Sequence, residues 1–387
     1  MQTLTPRALL ERLVGFPTVS RDSNLDLVDW VESYLVGHGI TAHRHWNEDR
    51  TKSALFAHVG PMVAGGVVLS GHTDVVPVDG QDWSRDPWRV VEEGGRLYGR
   101  GTCDMKGFDA LAIWALVEAQ QAGIRRPLQL ALSYDEEIGC TGAPPMIAAM
   151  GHALPKAASV VVGEPSMMRM VNGHKGGSGF QVHVRGHEVH SSIMHTGVNA
   201  IMAGARLIDW ANRMNDESAS AAPTVLAAQF VPAWTTVHVG VISGGTAENI
   251  TAKDCQFGFG FRVVPGEDPE AWVAGFLVQV AKLDATIKAV HPEAGVTVKR
   301  TFDVPPLRPE TDGSAEALVR RLTGDNGTSV VSYGTEAGQF QDAGYSVVVC
   351  GPGDIAQAHQ PDEYLEVAQF EAGHVFMRRL IKDLQGL

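Results

Sequence analysis

The sequence predicts an α/β protein: a mostly parallel central sheet flanked by helices, into which a separate α+β unit is inserted. Three observations lead there. Short apolar runs ending in polar residues alternate with helical stretches as far as Pro165. The pattern changes after about Gly179, where strands and helices follow one another in a different rhythm. The first style returns near Val296, so the smaller unit interrupts the larger one. No internal repeat or low-complexity tract is visible.

The elements follow in order. Thr5-Pro6 before Leu9, Leu10 and Leu13 reads as a capped helix with proline in its first turn. A second helix covers 23–36 and stops at Gly37 and Gly39. Strands are expected near 53–59 and 67–71. Pro77, Gly80 and Pro87 make 75–87 a loop, and Gly94-Gly95 centres a hairpin over 88–98. The turn Gly99-Arg-Gly-Thr-Cys-Asp-Met-Lys-Gly107 leads into a helix over 108–121. Strands near 128–134 and 159–162 end in Asp135-Glu136-Glu137 and Gly163-Glu164-Pro165. The insert combines strands near 180–185, 235–242 and 255–264 with helices near 198–213 and 268–282. Its small residues 218–224 read as a loop. Beyond it come a strand at 296–302, a helix near 313–322, a strand at 345–350 and a last helix from about 366. The larger domain is therefore 1–178 with 293–387, and 179–292 is inserted.

A hydrophobic fraction of 44% and a charged fraction of 19% belong to a globular chain. The net charge of −13 argues against nucleic acid or an anionic membrane as partner and fits carboxylates gathered around cations. Four widely spaced cysteines without a CxxC motif point to a reduced, cytoplasmic setting. The N-terminal stretch lacks a signal peptide's apolar core, and no apolar run reaches membrane-spanning length.

Five candidate ligands fall where strands or turns end: His72, Asp104, Glu137, Glu164 and His359. Open α/β sheets collect their sites at the carboxyl ends of strands, so residues distant in sequence meet there. Two imidazoles with three carboxylates and no thiolate suit a catalytic Zn²⁺ site, with Co²⁺ as the alternative. Five ligands exceed one open tetrahedral zinc and suit two ions sharing a carboxylate. His72 and Asp74, two apart, point to the same side of a strand, where the acid could hold the second ring N–H. Glu136, beside a ligand rather than among them, is free to take a proton from the attacking water and return it to a leaving nitrogen.

These motifs resemble the co-catalytic zinc deacylases and exopeptidases, the family of the acetylornithine deacetylases and succinyl-diaminopimelate desuccinylases. The resemblance rests on Ser70-Gly-His-Thr-Asp-Val-Val-Pro77, the Gly99 to Gly107 turn, Glu136-Glu137, Gly163-Glu-Pro165 and Ala358-His-Gln-Pro-Asp-Glu-Tyr364. It implies a zinc-exopeptidase-like catalytic domain with an inserted lid and dimerisation domain. It further implies that Asp104 bridges two metals, that His72 and Glu164 complete one site, and that Glu137 and His359 complete the other. Glu136 would be the general base and Asp74 the partner of the His72 ring.

In the insert, Val189-His190-Ser191-Ser192 resembles the lid motif whose His crosses a homodimer to the partner's site. Asn249 and Arg262 lie in segments that resemble substrate-binding ones, Arg262 toward a carboxylate. Val171-Asn-Gly-His-Lys-Gly176, Gly197-Val-Asn-Ala-Ile201 and the stretch around Glu336 are most similar to the deacetylase branch, and Glu336 is expected to hold a substrate ammonium. The substrate implied is a small N-acyl amino acid, N²-acetyl-L-ornithine first. A desuccinylase, an acetylcitrulline deacetylase or a dipeptidase of the same family is the alternative, and a non-catalytic metal-dependent binder the remote one. His187 and His195, which flank His190, have no assigned role.

Overall fold

The computed structural model describes residues 2–387. They divide into two compact units. One comprises Met1–Gly173, Pro309–Ser329 and Thr335–Leu387, and the other His174–Arg308 and Val330–Gly334.

In the larger unit the sheet order is Ala42–Trp46, Ser53–Val59, Leu128–Ser133, Val67–His72, Ser159–Pro165, Ser346–Gly351 and then Val171–His174. Leu128–Ser133, Val67–His72, Ser159–Pro165 and Ser346–Gly351 run parallel, so their carboxyl ends share one edge. These four strands are almost entirely buried, as parallel strands covered on both faces must be. The helix Lys106–Ala122 is apolar nearly all round because it is buried nearly all round. It packs beside Pro6–Val14 and Val367–Gln385, and Leu9, Leu13, Leu111, Leu116 and Leu380 meet in one core.

In the smaller unit a four-stranded antiparallel sheet has the order Thr236–Gly244, Asp254–Val263, Gly176–Arg185, Gly295–Val304. The helices Ala200–Ser220 and Pro269–Lys288 pack on it. Its core is aromatic: Phe259 stacks on Phe276 with centroids 4.1 Å apart, and Phe180, Phe261 and Trp210 surround them.

Three expectations change. The strand expected at 296–302 belongs to the smaller sheet, where Gly295–Val304 pairs with Gly176–Arg185 along its length. The division accordingly falls at 174 and 308, with 330–334 added, rather than at 179 and 292. Residues 218–220 of the expected loop are the last turn of the helix Ala200–Ser220, closed by the Ala221 N–H donating to the Glu217 carbonyl.

Candidate metal centre and active site

Each candidate ligand reaches the site from a strand or turn whose geometry the local sequence dictates. Val67–His72 ends on His72, in register with Ser133, so the next strand delivers Asp135-Glu136-Glu137 to the same edge. Glu164 stands at the end of Ser159–Pro165, and His359 follows Ser346–Gly351 after a short 3₁₀ turn. Asp104 lies in the turn before Lys106–Ala122, entered through Gly99 (φ 150°) and Gly101 (φ 82°). Gly71 has a steric reason: a Cβ there would sit 2.1 Å from Asp109 Oδ1.

The side chains converge. His72 Nε2 is 3.0 Å from Asp104 Oδ1 and 3.6 Å from Glu164 Oε1. His359 Nε2 is 3.1 Å from Asp104 Oδ2 and 3.0 Å from Glu137 Oε2. Asp104 thus offers one oxygen to each imidazole. Glu136 Oε2 lies 4.0 Å from His72 Nε2, beside these contacts. Two buried carboxylate oxygens, Glu137 Oε1 and Glu164 Oε1, have no hydrogen-bond partner. Orphaned buried oxygens among imidazoles are what a divalent cation would satisfy, so the residues fit one.

Protonation follows from crowding. Burial pushes Glu136 up to about 8, against the pull of His72. Burial and the Asp104 charge bring Glu137 to about 7, and burial with Asp104 and Glu136 holds Glu164 well above its ordinary range. Burial would also raise Asp104, but hydrogen bonds from His359 and His72 hold it below the usual carboxylate range. Hydrogen bonds to Asp104 and Glu137 lift His359 to about 10. Burial opposes the charged form of His72, yet Asp104, Glu164 and Glu136 leave its pKa well raised. Without a cation, then, the cluster retains protons where a cation's charge would sit.

Residues 68–383 match the description Peptidase family M20/M25/M40. The chain belongs to that family. An acetylornithine deacetylase from Myxococcus xanthus is 34% identical over 98% of this chain and 97% of its own. One from Proteus mirabilis (strain HI4320) is 32% identical over 97% and 95%. Among solved structures, an M20 family metallo-carboxypeptidase from Sulfolobus solfataricus has a TM-score of 0.81 at 16% identity, covering 99% of this chain and 100% of that one. A dinuclear metal-binding peptidase of the M20 family from Bacillus subtilis has a TM-score of 0.62 at 14% identity, covering 99% and 98%. The chain is thus an M20 hydrolase whose chemistry is metal-dependent hydrolysis of an amide. None of its described helices is long and apolar enough to cross a membrane.

Two expected roles within this M20 site need correction. The His72 ring is oriented by a backbone group: Nδ1–H donates to the Asp74 carbonyl at 2.9 Å, whereas the Asp74 carboxylate stands 3.7 Å away. That carboxylate accepts instead from Ser20 Oγ at 2.6 Å, from the Glu136 N–H at 3.1 Å and from the Glu137 N–H at 3.4 Å. It holds the turn that carries Glu136 and Glu137. Glu336 is only 1% exposed, and its two oxygens accept from Ser70 Oγ at 2.5 Å and Ser133 Oγ at 2.6 Å. A carboxylate so enclosed ties two strands together.

Other residues support the site without having signalled it. Glu363 Oε1 accepts from the backbone N–H groups of Cys103 (3.0 Å) and Asp104 (3.2 Å), and its Oε2 pairs with buried Arg100 at 2.6 Å. Cys140 Sγ donates to Glu136 Oε1 at 3.2 Å. Lys52 pairs with Asp135, whose φ of 58° starts the turn.

In the smaller unit, His190 and Asn249 adjoin: the Ser191 N–H donates to the Asn249 carbonyl at 2.9 Å, and His190 bridges to Ile250. Both are exposed. Arg262 is also exposed and lies over the Phe302 ring at 6.0 Å. It stands at the far end of Asp254–Val263 from Asn249, roughly 25 Å along the strand at about 3.3 Å per residue. The three are therefore not one cluster.

Proposed function

We propose that this chain hydrolyses the amide of an N-acyl amino acid, N²-acetyl-L-ornithine foremost, to release L-ornithine and acetate in arginine biosynthesis. The observation that carries the reading is Glu136: a buried carboxylate beside five convergent ligands. The relatives named acetylornithine deacetylase over almost the whole chain support the choice of substrate.

His72, Asp104 and Glu164 would hold one divalent ion, and His359, Glu137 and Asp104 a second, Zn²⁺ by preference and Co²⁺ otherwise. Bound, the pair would supply Lewis acidity toward a carbonyl and toward water. Glu136 takes a proton from the water that attacks the amide carbonyl and delivers it to the leaving amine. The Asp74 carboxylate keeps the Glu136 backbone in place for both transfers. His190 stabilises the oxyanion. Its Nδ1 accepts from the Ser192 N–H at 3.2 Å, which leaves Nε2 as the donor. We assign His190 and Asn249 to the partner's site in a homodimer and Arg262 to the substrate carboxylate.

The test is a panel: acetylornithine, acetylcitrulline, acetylmethionine, succinyl-diaminopimelate and a dipeptide, each with zinc- and cobalt-loaded chain. The highest kcat/KM is expected for acetylornithine. A preference for another member would reassign the substrate, and turnover of none would remove the reading.

A further inference from the structure

We propose that residues 81–84 form a strap across the His359 segment, with Gln81 as its positioning residue. The strap sets how firmly the ion assigned to His359, Glu137 and Asp104 is held, and so rests on the ligand assignment made above. The two imidazoles of the centre are held very differently. The His72 side chain is 0% exposed and ends a buried strand, whereas the His359 side chain is 48% exposed. His359 also has a left-handed backbone, with φ 63°, and Asp362 in the same segment has φ 53°. Residues other than glycine stay in that region only when their surroundings hold them there. The strap supplies a contact to each. Gln81 Nε2 donates to the His359 carbonyl at 2.9 Å, and the Ser84 N–H donates to Asp362 Oδ1 at 3.1 Å.

The Gln81 amide is oriented from its other side. Its Oε1 accepts from Arg100 Nη2 at 2.5 Å and from Trp83 Nε1 at 3.0 Å, so the NH₂ end is the one that faces His359. Arg100 is fully buried, its guanidinium 5.0 Å from the centre of the Trp83 ring. Arg100 Nη1 pairs with Glu363, whose other oxygen accepts from the Asp104 N–H at 3.2 Å. One unbroken run of contacts thus joins the backbones of two ligands: Asp104, Glu363, Arg100, Gln81 and His359. Glu137, the third ligand assigned to that ion, has its N–H on the Asp74 carboxylate. His72 and Glu164 stand on buried strands instead. Loss of the Gln81 amide therefore loosens His359 and leaves the ligands of the other ion in place.

The test is the Zn²⁺ affinity of chelator-treated full chain, read by competition with a chromophoric chelator. Gln81→Met keeps the length of the side chain and removes both its donor and its acceptor. In a chain with His72→Ala the ion at His359 is the one left, and adding Gln81→Met should weaken it about 10–100-fold. In a chain with His359→Ala the ion at His72 is the one left, and adding Gln81→Met should not change its affinity. A second measurement keeps every ligand: Gln81→Met alone should weaken one of two binding steps and leave the other as in wild type. Unchanged affinity in the His72→Ala chain, or two unchanged steps with Gln81→Met alone, would overturn the proposal. So would an equal loss in both backgrounds, which would make Gln81 a general prop of the fold. Failure of the ligand assignment looks different: His359→Ala alone would then bind as many zinc ions as wild type.

Discussion

The proposed base, Glu136, is nearly buried, stands 4.0 Å from His72 Nε2 and is steadied by the Cys140 thiol at 3.2 Å. Glu136→Gln keeps the shape and removes the proton acceptor. A fall in kcat of at least ~10²-fold with bound metal unchanged is expected. Steady-state kinetics beside metal analysis decide it, and near-normal turnover would withdraw the role. Glu336 invites the opposite outcome. Glu336→Ala leaves the Ser70 and Ser133 hydroxyls without their acceptor, so a stability loss of about 1–3 kcal/mol is expected, seen as a lower Tm. The ratio of activities on acetylornithine and acetylmethionine should not move. A selective loss on acetylornithine would restore Glu336 as the ammonium site.

At the scale of elements, the turn after Leu128–Ser133 does the positioning. Asp135 takes a left-handed φ and pairs with Lys52, and the Asp74 carboxylate receives the next two N–H groups. The His72 ring is held independently, by a carbonyl. Asp74→Asn presents an amide whose N–H can face those donors, so Glu137 and Glu136 should shift while His72 stays. Metal affinity is expected to fall about 10–100-fold, the usual cost of losing a group that orients a ligand. Competition with a chromophoric chelator measures this. Unchanged affinity would mean that the turn holds itself.

At the scale of the molecule, protons and metal compete for one centre. Glu136 and Glu137 are raised from 4.5 to about 8 and about 7, and His359 from 6.5 to about 10. Each binds protons more tightly folded than unfolded. Their contribution to the stability of metal-free chain is therefore complete below about 4.5 for the acids and 6.5 for the imidazole. It is lost as pH rises through the folded values. Metal binding displaces those protons, so the gain in Tm on adding Zn²⁺ to chelator-treated chain should grow from pH 5.5 to pH 8. A gain independent of pH would show that the cluster does not hold these protons.

The homodimer is tested by mixing Glu136→Gln and His190→Ala subunits. With random exchange, roughly half the dimers are mixed and each has one intact site, so about a quarter of wild-type activity should return. Mixing two differently tagged chains confirms exchange. Exchange without rescue would place His190 in its own chain's site.

Local patterns carried much of this in the sequence itself. An apolar run ending in His or Glu marks a buried strand delivering a polar group, and glycines around Asp104 mark a turn with positive φ. Those signals lie within a few residues of one another, so the α/β class, the insertion and the five side chains that converge were legible in order. Pairing across the chain was not. Gly295–Val304 alternates in exposure like any edge strand, and that period says a strand exists without saying which sheet it joins. Only its register with Gly176–Arg185 assigned it. The same holds for Glu336, whose partner Ser70 is 266 residues away, and for Glu363, 260 residues from Cys103. An acid reads alike in sequence whether it meets a substrate or two buried hydroxyls. Tertiary structure decided between them, because burial and the identity of the donors are set by chain segments that sequence spacing does not connect.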